Sequence, residues 1–274
     1  MSLDLSYNTQ FSSIKSNFDD IIPSLLNLKL ASCNITEFPN FLRSSTNLQI
    51  LDLSNNRIYS RIPEWMFEIG ENLILLDLSQ NFLSSIEQLP WKNLRYLDLH
   101  ANLLQGSSLP SMICNVSSLE VLDISHNKLG GTVPQCSGNF SKSILVMDLQ
   151  INNFHGAIPD TFVKDNLLTT LVFNGNQLEG LLPKSLVNCT NLEVLDLGNN
   201  KINDFFPFWL AALPNLKVLI LKSNRFHGPI GNHKTSGKFF TKLRILDLSH
   251  NEFIGLLPRN YLQNLNAMMT NDEG

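Results

Sequence analysis

The sequence predicts an α/β-type solenoid, a horseshoe or superhelix with a parallel β-sheet along its concave face. Three observations carry this. The pattern LxxLxLxxNxL recurs eleven times in 274 residues. An asparagine closes the pattern in nearly every unit. A segment of the form x-L-x-G-x-I-P often follows, as in LGGTVP (129–134), FHGAIP (154–159) and LEGLLP (178–183). A chain built this way grows linearly, each repeat touching only its neighbours.

The fourth position of the unit falls on Leu3, Leu28, Leu51, Leu76, Leu97, Leu122, Met147, Leu171, Leu195, Leu219 and Leu246. The steps run from 21 to 27 residues, with a mean of about 24, inside the leucine-rich-repeat range. Alternation over positions three to seven is a short strand whose positions four and six point inward. One unit cannot bury its leucines, but stacked units can. Position nine is Asn in ten units, with Cys33 in the other. An inward Asn can bond loop backbone that would otherwise be buried unpaired. The Gly permits a tight turn and the Pro fixes the chain direction after it. Residues 1–274 are expected to form a single array, with repeats over 1–261 and a run-out over 262–274.

Composition narrows the functions. The net charge is −4 and 16% of residues are charged. That lacks the basic footprint nucleic-acid binding needs. No run of 18 apolar residues occurs to span a membrane. The start, MSLDLSYN, shows no signal-peptide pattern. The four Cys have no CxxC spacing. The six His form no HExxH or triad spacing, and GxxxxGK[ST], HRD and GxSxG are absent. Neither an enzyme, a cofactor nor a metal is expected.

The Gly-x-Ile-Pro flavour resembles the plant extracellular leucine-rich-repeat proteins: receptor kinases, receptor-like proteins and polygalacturonase inhibitors. Residues 28–65, 113–141 and 257–269 narrow the resemblance to plant receptor-like proteins. That family joins an ectodomain to one membrane helix and a short tail without a kinase, and acts in immunity or development. The resemblance implies an internal ectodomain stretch, run out towards a missing island segment, on the extracellular side of the plasma membrane. The membrane attachment would lie in a segment outside this chain. It also implies a peptide or protein ligand and a partner receptor kinase. The alternatives are a receptor kinase ectodomain and a soluble inhibitor of microbial cell-wall-degrading enzymes.

Binding is expected on the concave face, at positions three, five, seven and eight. Position five is Asp in eight units, five of them consecutive from Asp52 to Asp148. Neighbouring strands lie about 4.8 Å apart, so like charges form a ladder that raises some pKa values unless relieved. The ladder is read first as a shared strand motif, with a basic-peptide groove or a cation site as alternatives. Position three gives an apolar stripe, including Ile50, Leu75, Val121, Val146, Val194, Val218 and Ile245. The shared strand motif breaks at Arg95, Tyr96, His100 and Ala101, and again at Thr170, Val172, Asn174, Lys217, Ile220 and Lys222. Specificity belongs where the repeats differ. The ligand-facing candidates are therefore Arg95, Tyr96, Asp98, His100, Asp123, Asp148, Thr170, Val172, Asn174, Lys217, Ile220 and Lys222.

Glycosylation sequons start at Asn34, Asn115, Asn139 and Asn188. Cys114 and Cys136 fall in adjacent units and could pair in a secreted protein. Cys33 and Cys189 read as buried small residues. The short step before Leu97 and the GNHKTSGK loop (231–238) read as length variation or as a protruding contact. Both ends of the array are expected to expose leucine-lined cross-sections, making the uncapped chain poorly soluble.

Overall fold

The computed structural model describes residues 1–10, 24–107, 112–136, 140–230 and 240–256. Eleven three-residue strands form one parallel sheet in chain order. They are Ser2–Asp4 (β1), Asn27–Lys29 (β2), Ile50–Asp52 (β3), Leu75–Asp77 (β4), Tyr96–Asp98 (β5), Val121–Asp123 (β6), Val146–Asp148 (β7), Thr170–Val172 (β8), Val194–Asp196 (β9), Val218–Ile220 (β10) and Ile245–Asp247 (β11). Each strand begins at position three of its unit. Register keeps equal positions opposite one another, so Leu76 faces Leu51 on one side and Leu97 on the other.

This register puts all position-four and position-six side chains into one core. Leu51, Leu53, Leu76, Leu78, Leu97, Leu99, Leu122 and Ile124 have no exposed surface. Burying such a side chain stabilises by about 1.5–3 kcal/mol, and neighbouring units must provide the cover. The asparagines satisfy the backbone between units. Asn127 Oδ1 accepts the Leu104 N–H, while Nδ2 donates to the carbonyls of Leu99, Ile124 and Ser125, all at 3.0–3.1 Å. The corresponding bond to the preceding unit recurs at Asn56, Asn81, Asn102, Asn152, Asn176, Asn200, Asn224 and Asn251. The Cys33 thiol takes the amide's place, donating to Leu5 O at 3.1 Å.

Beyond the asparagine the chain runs into a second parallel sheet, which the sequence reading did not anticipate. Its strands are Gln105–Gly106, Lys128–Thr132, Asn153–Gly156, Gln177–Gly180 and Lys201–Ile202. The turn glycines Gly106, Gly131, Gly156, Gly180, Gly228 and Gly255 have φ between +75° and +98°, a region closed to most side chains. Short helical segments line the opposite side, among them Asn40–Ser44, Glu64–Ile69, Lys184–Asn188 and Phe208–Ala212. The 21-residue step before Leu97 carries no helix between β4 and β5. Trp91 fills that gap instead, fully buried, with Nε1 donating to Met66 O at 3.3 Å. It lies where a Cβ on Gly70 would stand. The short unit is thus a core device rather than a protruding contact.

Cys114 and Cys136 are joined in a disulfide between adjacent units, with Cα atoms 5.1 Å apart. Cys33 and Cys189 are buried free thiols. At the C-terminal end Leu246 and Leu248 are only partly covered and Leu256 is 93% exposed. The GNHKTSGK loop, Asn139 and the 262–274 run-out lie outside the described residues.

Candidate ligand-binding face

The concave face is built on a row of capped carboxylates. All eight position-five aspartates accept the backbone N–H two residues on, at 2.9–3.1 Å. Ser54, Ser79 and Ser249 add hydroxyl bonds at 2.6–2.7 Å. The aspartate is therefore a structural cap that ends each strand.

The face is far from a row of fully hydrated side chains: Asp98 is 7% exposed, Ser79 3% and Ser125 2%. Side chains in register on strands about 4.8 Å apart cover one another. Burial pushes the Asp77 carboxyl above its ordinary value against the Ser79 bonds, with Asp98 and Asp52 adding to the rise. Burial raises Asp148 to about 6, partly offset by the Gln150 N–H and reinforced by Asp123. Crowding acts in the expected direction, but desolvation is the larger cause.

Two clusters stand out. On β5 and β6, the Tyr96 hydroxyl donates to Asp98 Oδ2 at 3.2 Å, and His100 Nδ1 lies 2.8 Å from Asp98 Oδ1. Asp123 lies opposite Asp98 in register. Burial works against the His100 charge, but the hydrogen bond and charge of Asp98 outweigh it and hold the imidazole above its usual value. Burial, then the neighbouring carboxylates, raises the Tyr96 phenol. Arg95 at the rim pairs with Glu120 at 3.1 Å.

The second cluster spans β8 to β10. Asn174 donates to both oxygens of Asp196, at 3.0 and 3.1 Å, and accepts from Asn199 at 3.0 Å. Gly198 makes room for this, since a Cβ there would meet Asn174 Nδ2 at 2.9 Å and Lys222 Cγ at 3.2 Å. Val172 and Ile220 stand on either side of Asp196 in register, so apolar side chains replace two rungs of the ladder. Thr170 sits between Val146 and Val194. Lys217 pairs with Glu193 at 2.7 Å. The first cluster is thus acidic and aromatic, while the second mixes apolar side chains, amides and Lys222.

A leucine rich repeat family profile matches residues 166–226, and a second leucine rich repeat profile matches 47–68, 118–140 and 242–265. Receptor-like protein 32 of Arabidopsis thaliana is 42% identical over 97% of this chain, which spans 31% of that relative's length. The chain belongs to the plant leucine-rich-repeat receptor-like proteins. Among solved structures, it resembles the ectodomain of the Arabidopsis thaliana receptor kinase GASSHO1/SCHENGEN3, in complex with CASPARIAN STRIP INTEGRITY FACTOR 2. The TM-score is 0.75 with 34% identity, covering 84% of this chain and 27% of that one. The Arabidopsis receptor kinase HAESA, in complex with the peptide hormone IDA and the co-receptor SERK1, gives a TM-score of 0.75 at 30% identity. That match covers 89% of this chain and 40% of HAESA's.

In this receptor-like protein several neighbours of the candidate residues escaped the sequence reading. Asp196, Asn199 and Gln80 were not among its candidates, although Asp196 and Asn199 bind Asn174 and Gln80 Nε2 lies 3.3 Å from His100 Nε2. The lone glycine at position seven, Gly198, was the available signal. Of the sequons, Asn34 and Asn115 are exposed. Asn188 is half-buried and its amide donates to Phe162 O at 2.8 Å, so there it serves as a tie between units.

Proposed function

We propose that this receptor-like protein captures a peptide or protein ligand outside the cell on its concave face. In this reading a segment outside the chain anchors it in the plasma membrane. The signal passes through a partner receptor kinase, in defence or development. The carrying observation is the eleven-strand face itself, preformed and repetitive except at two clusters. A preformed surface binds an extended ligand at low ordering cost. The solved ectodomains it resembles include receptor kinases held with a peptide hormone, which supports a peptide as ligand. Their kinase identity also favours a second reading, a receptor kinase ectodomain, which a kinase domain in the full transcript would establish.

The test restores the shared strand motif at both clusters of the whole receptor. Tyr96→Val, His100→Ser, Val172→Asp, Asn174→Ser, Ile220→Asp and Lys222→Ser are combined and returned to plants lacking the gene. The expected result is normal accumulation at the cell surface with loss of the response the gene supports. Full restoration of the response would contradict binding at these clusters.

A further inference from the structure

We propose that Asp98, His100 and Asp123 bind a divalent transition-metal ion of the Zn2+ class on the concave face. No spacing motif joins these residues, so the sequence reading expected no metal and kept a cation site only as an alternative for the aspartate ladder. The sheet joins them instead: Asp98 and Asp123 are opposite in register on β5 and β6, and His100 follows Asp98 by two residues. One ligand atom from each lies within 4.8 Å of the others. His100 is the single histidine at position seven among eleven units.

The donor set fits the ion. One imidazole with two carboxylates suits zinc and its neighbours rather than calcium or magnesium, which take oxygen ligands. Ligand bonds of about 2.0–2.2 Å put two donors about 3.3–3.6 Å apart in a tetrahedral zinc shell. His100 Nδ1 and Asp98 Oδ1 are 2.8 Å apart, so the ion would part them by about half an ångström. Asp123 uses Oδ1 to cap Ser125 at 2.9 Å, and its second oxygen remains for the ion. Asp98 is held from behind by the Tyr96 hydroxyl at 3.2 Å. Gln80 stands 3.3 Å from the far ring nitrogen of His100. With its amide oxygen turned to that nitrogen, Gln80 accepts a hydrogen bond from Nε2–H, leaving the Nδ1 lone pair for the metal. Three protein ligands leave one position of a tetrahedral shell open to the groove. The metal would therefore face whatever the concave surface binds.

The test titrates the purified ectodomain of the whole receptor with Zn2+ by calorimetry and with Co2+ by visible absorption, the fold being checked by circular dichroism. Wild type is expected to bind one equivalent that His100→Ala and Asp123→Asn each weaken at least about tenfold, the scale seen when ligand support is removed. Asp123→Asn keeps the cap on Ser125, so its fold is preserved. His126→Ala leaves that equivalent unchanged, and Ca2+ and Mg2+ do not displace it. The proposal is overturned if wild type shows no saturable binding. It is equally overturned if His100→Ala retains the full stoichiometry and affinity, because the ion then sits elsewhere.

Discussion

At the residue scale, the repeat places position eight of every unit in the left-handed region. Tyr7, Ser32, Asn55, Gln80, Ala101, His126, Ile151, Gly175, Asn199, Ser223 and His250 all have φ between +50° and +69°. Asn and Gly suit it, but a β-branched residue is strained there. Ile151 has φ +51° and is 48% exposed, so its strain is not offset by burial. Ile151→Asn is expected to stabilise the chain by about 1 kcal/mol in urea unfolding. Asp148 makes a pH prediction with a definite sign. Its carboxyl is raised by burial to about 6 in the fold, against about 3.9 when unfolded. The folded form keeps a proton the unfolded form has lost, so stability falls as pH rises from about 4 to about 6. After allowing for solvent screening of a half-buried group, the loss is about 1 kcal/mol. Asp148→Asn is expected to gain that much over wild type between pH 4 and pH 7.5, in parallel melts. A gap that stays constant across this range would contradict the assignment.

At the element scale, the leucines and asparagines were legible because period alone assigns them. Asn127 bonds four backbone groups, two of them in the preceding unit. Asn127→Ala leaves the buried Leu104 N–H unpaired, while the Leu99 carbonyl keeps its bond from Asn102, and is expected to cost about 2 kcal/mol in chemical unfolding. Asn8, which is exposed in the first unit and bonds only Leu5 and Ser6, is expected to cost under about 1 kcal/mol on the same change. Two features were not legible. The flanking second sheet forms only because units stack, so its short runs, such as Gln105–Gly106, carry little strand pattern alone. A further ladder runs along the convex side, where Asn72, Asn93, Asn191 and Asn215 donate to carbonyls of the preceding unit at 2.8–3.2 Å. Trp91 was visible only as part of a short step, since its place over Gly70 depends on the preceding unit. Trp91→Ala is expected to cost about 3–5 kcal/mol, the usual cost of emptying a large core site, read by thermal unfolding.

At the scale of the whole molecule, the repetition builds a continuous surface, and in the proposed reading the departures from it encode a partner. The candidate site was legible as departures from the shared strand, which named Tyr96, His100, Val172, Asn174 and Lys222. Partners such as Gln80 and Asp196 were not, because they come from neighbouring units and only register brings them close. The C-terminal cross-section leaves Leu246, Leu248 and Leu256 incompletely covered. A further repeat or a polar cap placed against β11 is expected to raise the soluble yield and the unfolding midpoint of the chain together. The central claim is that this solenoid is the ligand-capturing part of a kinase-less receptor. Sequencing the full transcript through both ends tests it most directly. The account predicts a signal peptide upstream, and further repeats, a single membrane helix and a short tail downstream. A kinase domain after the helix, or a stop after a capping repeat with no helix, would contradict it.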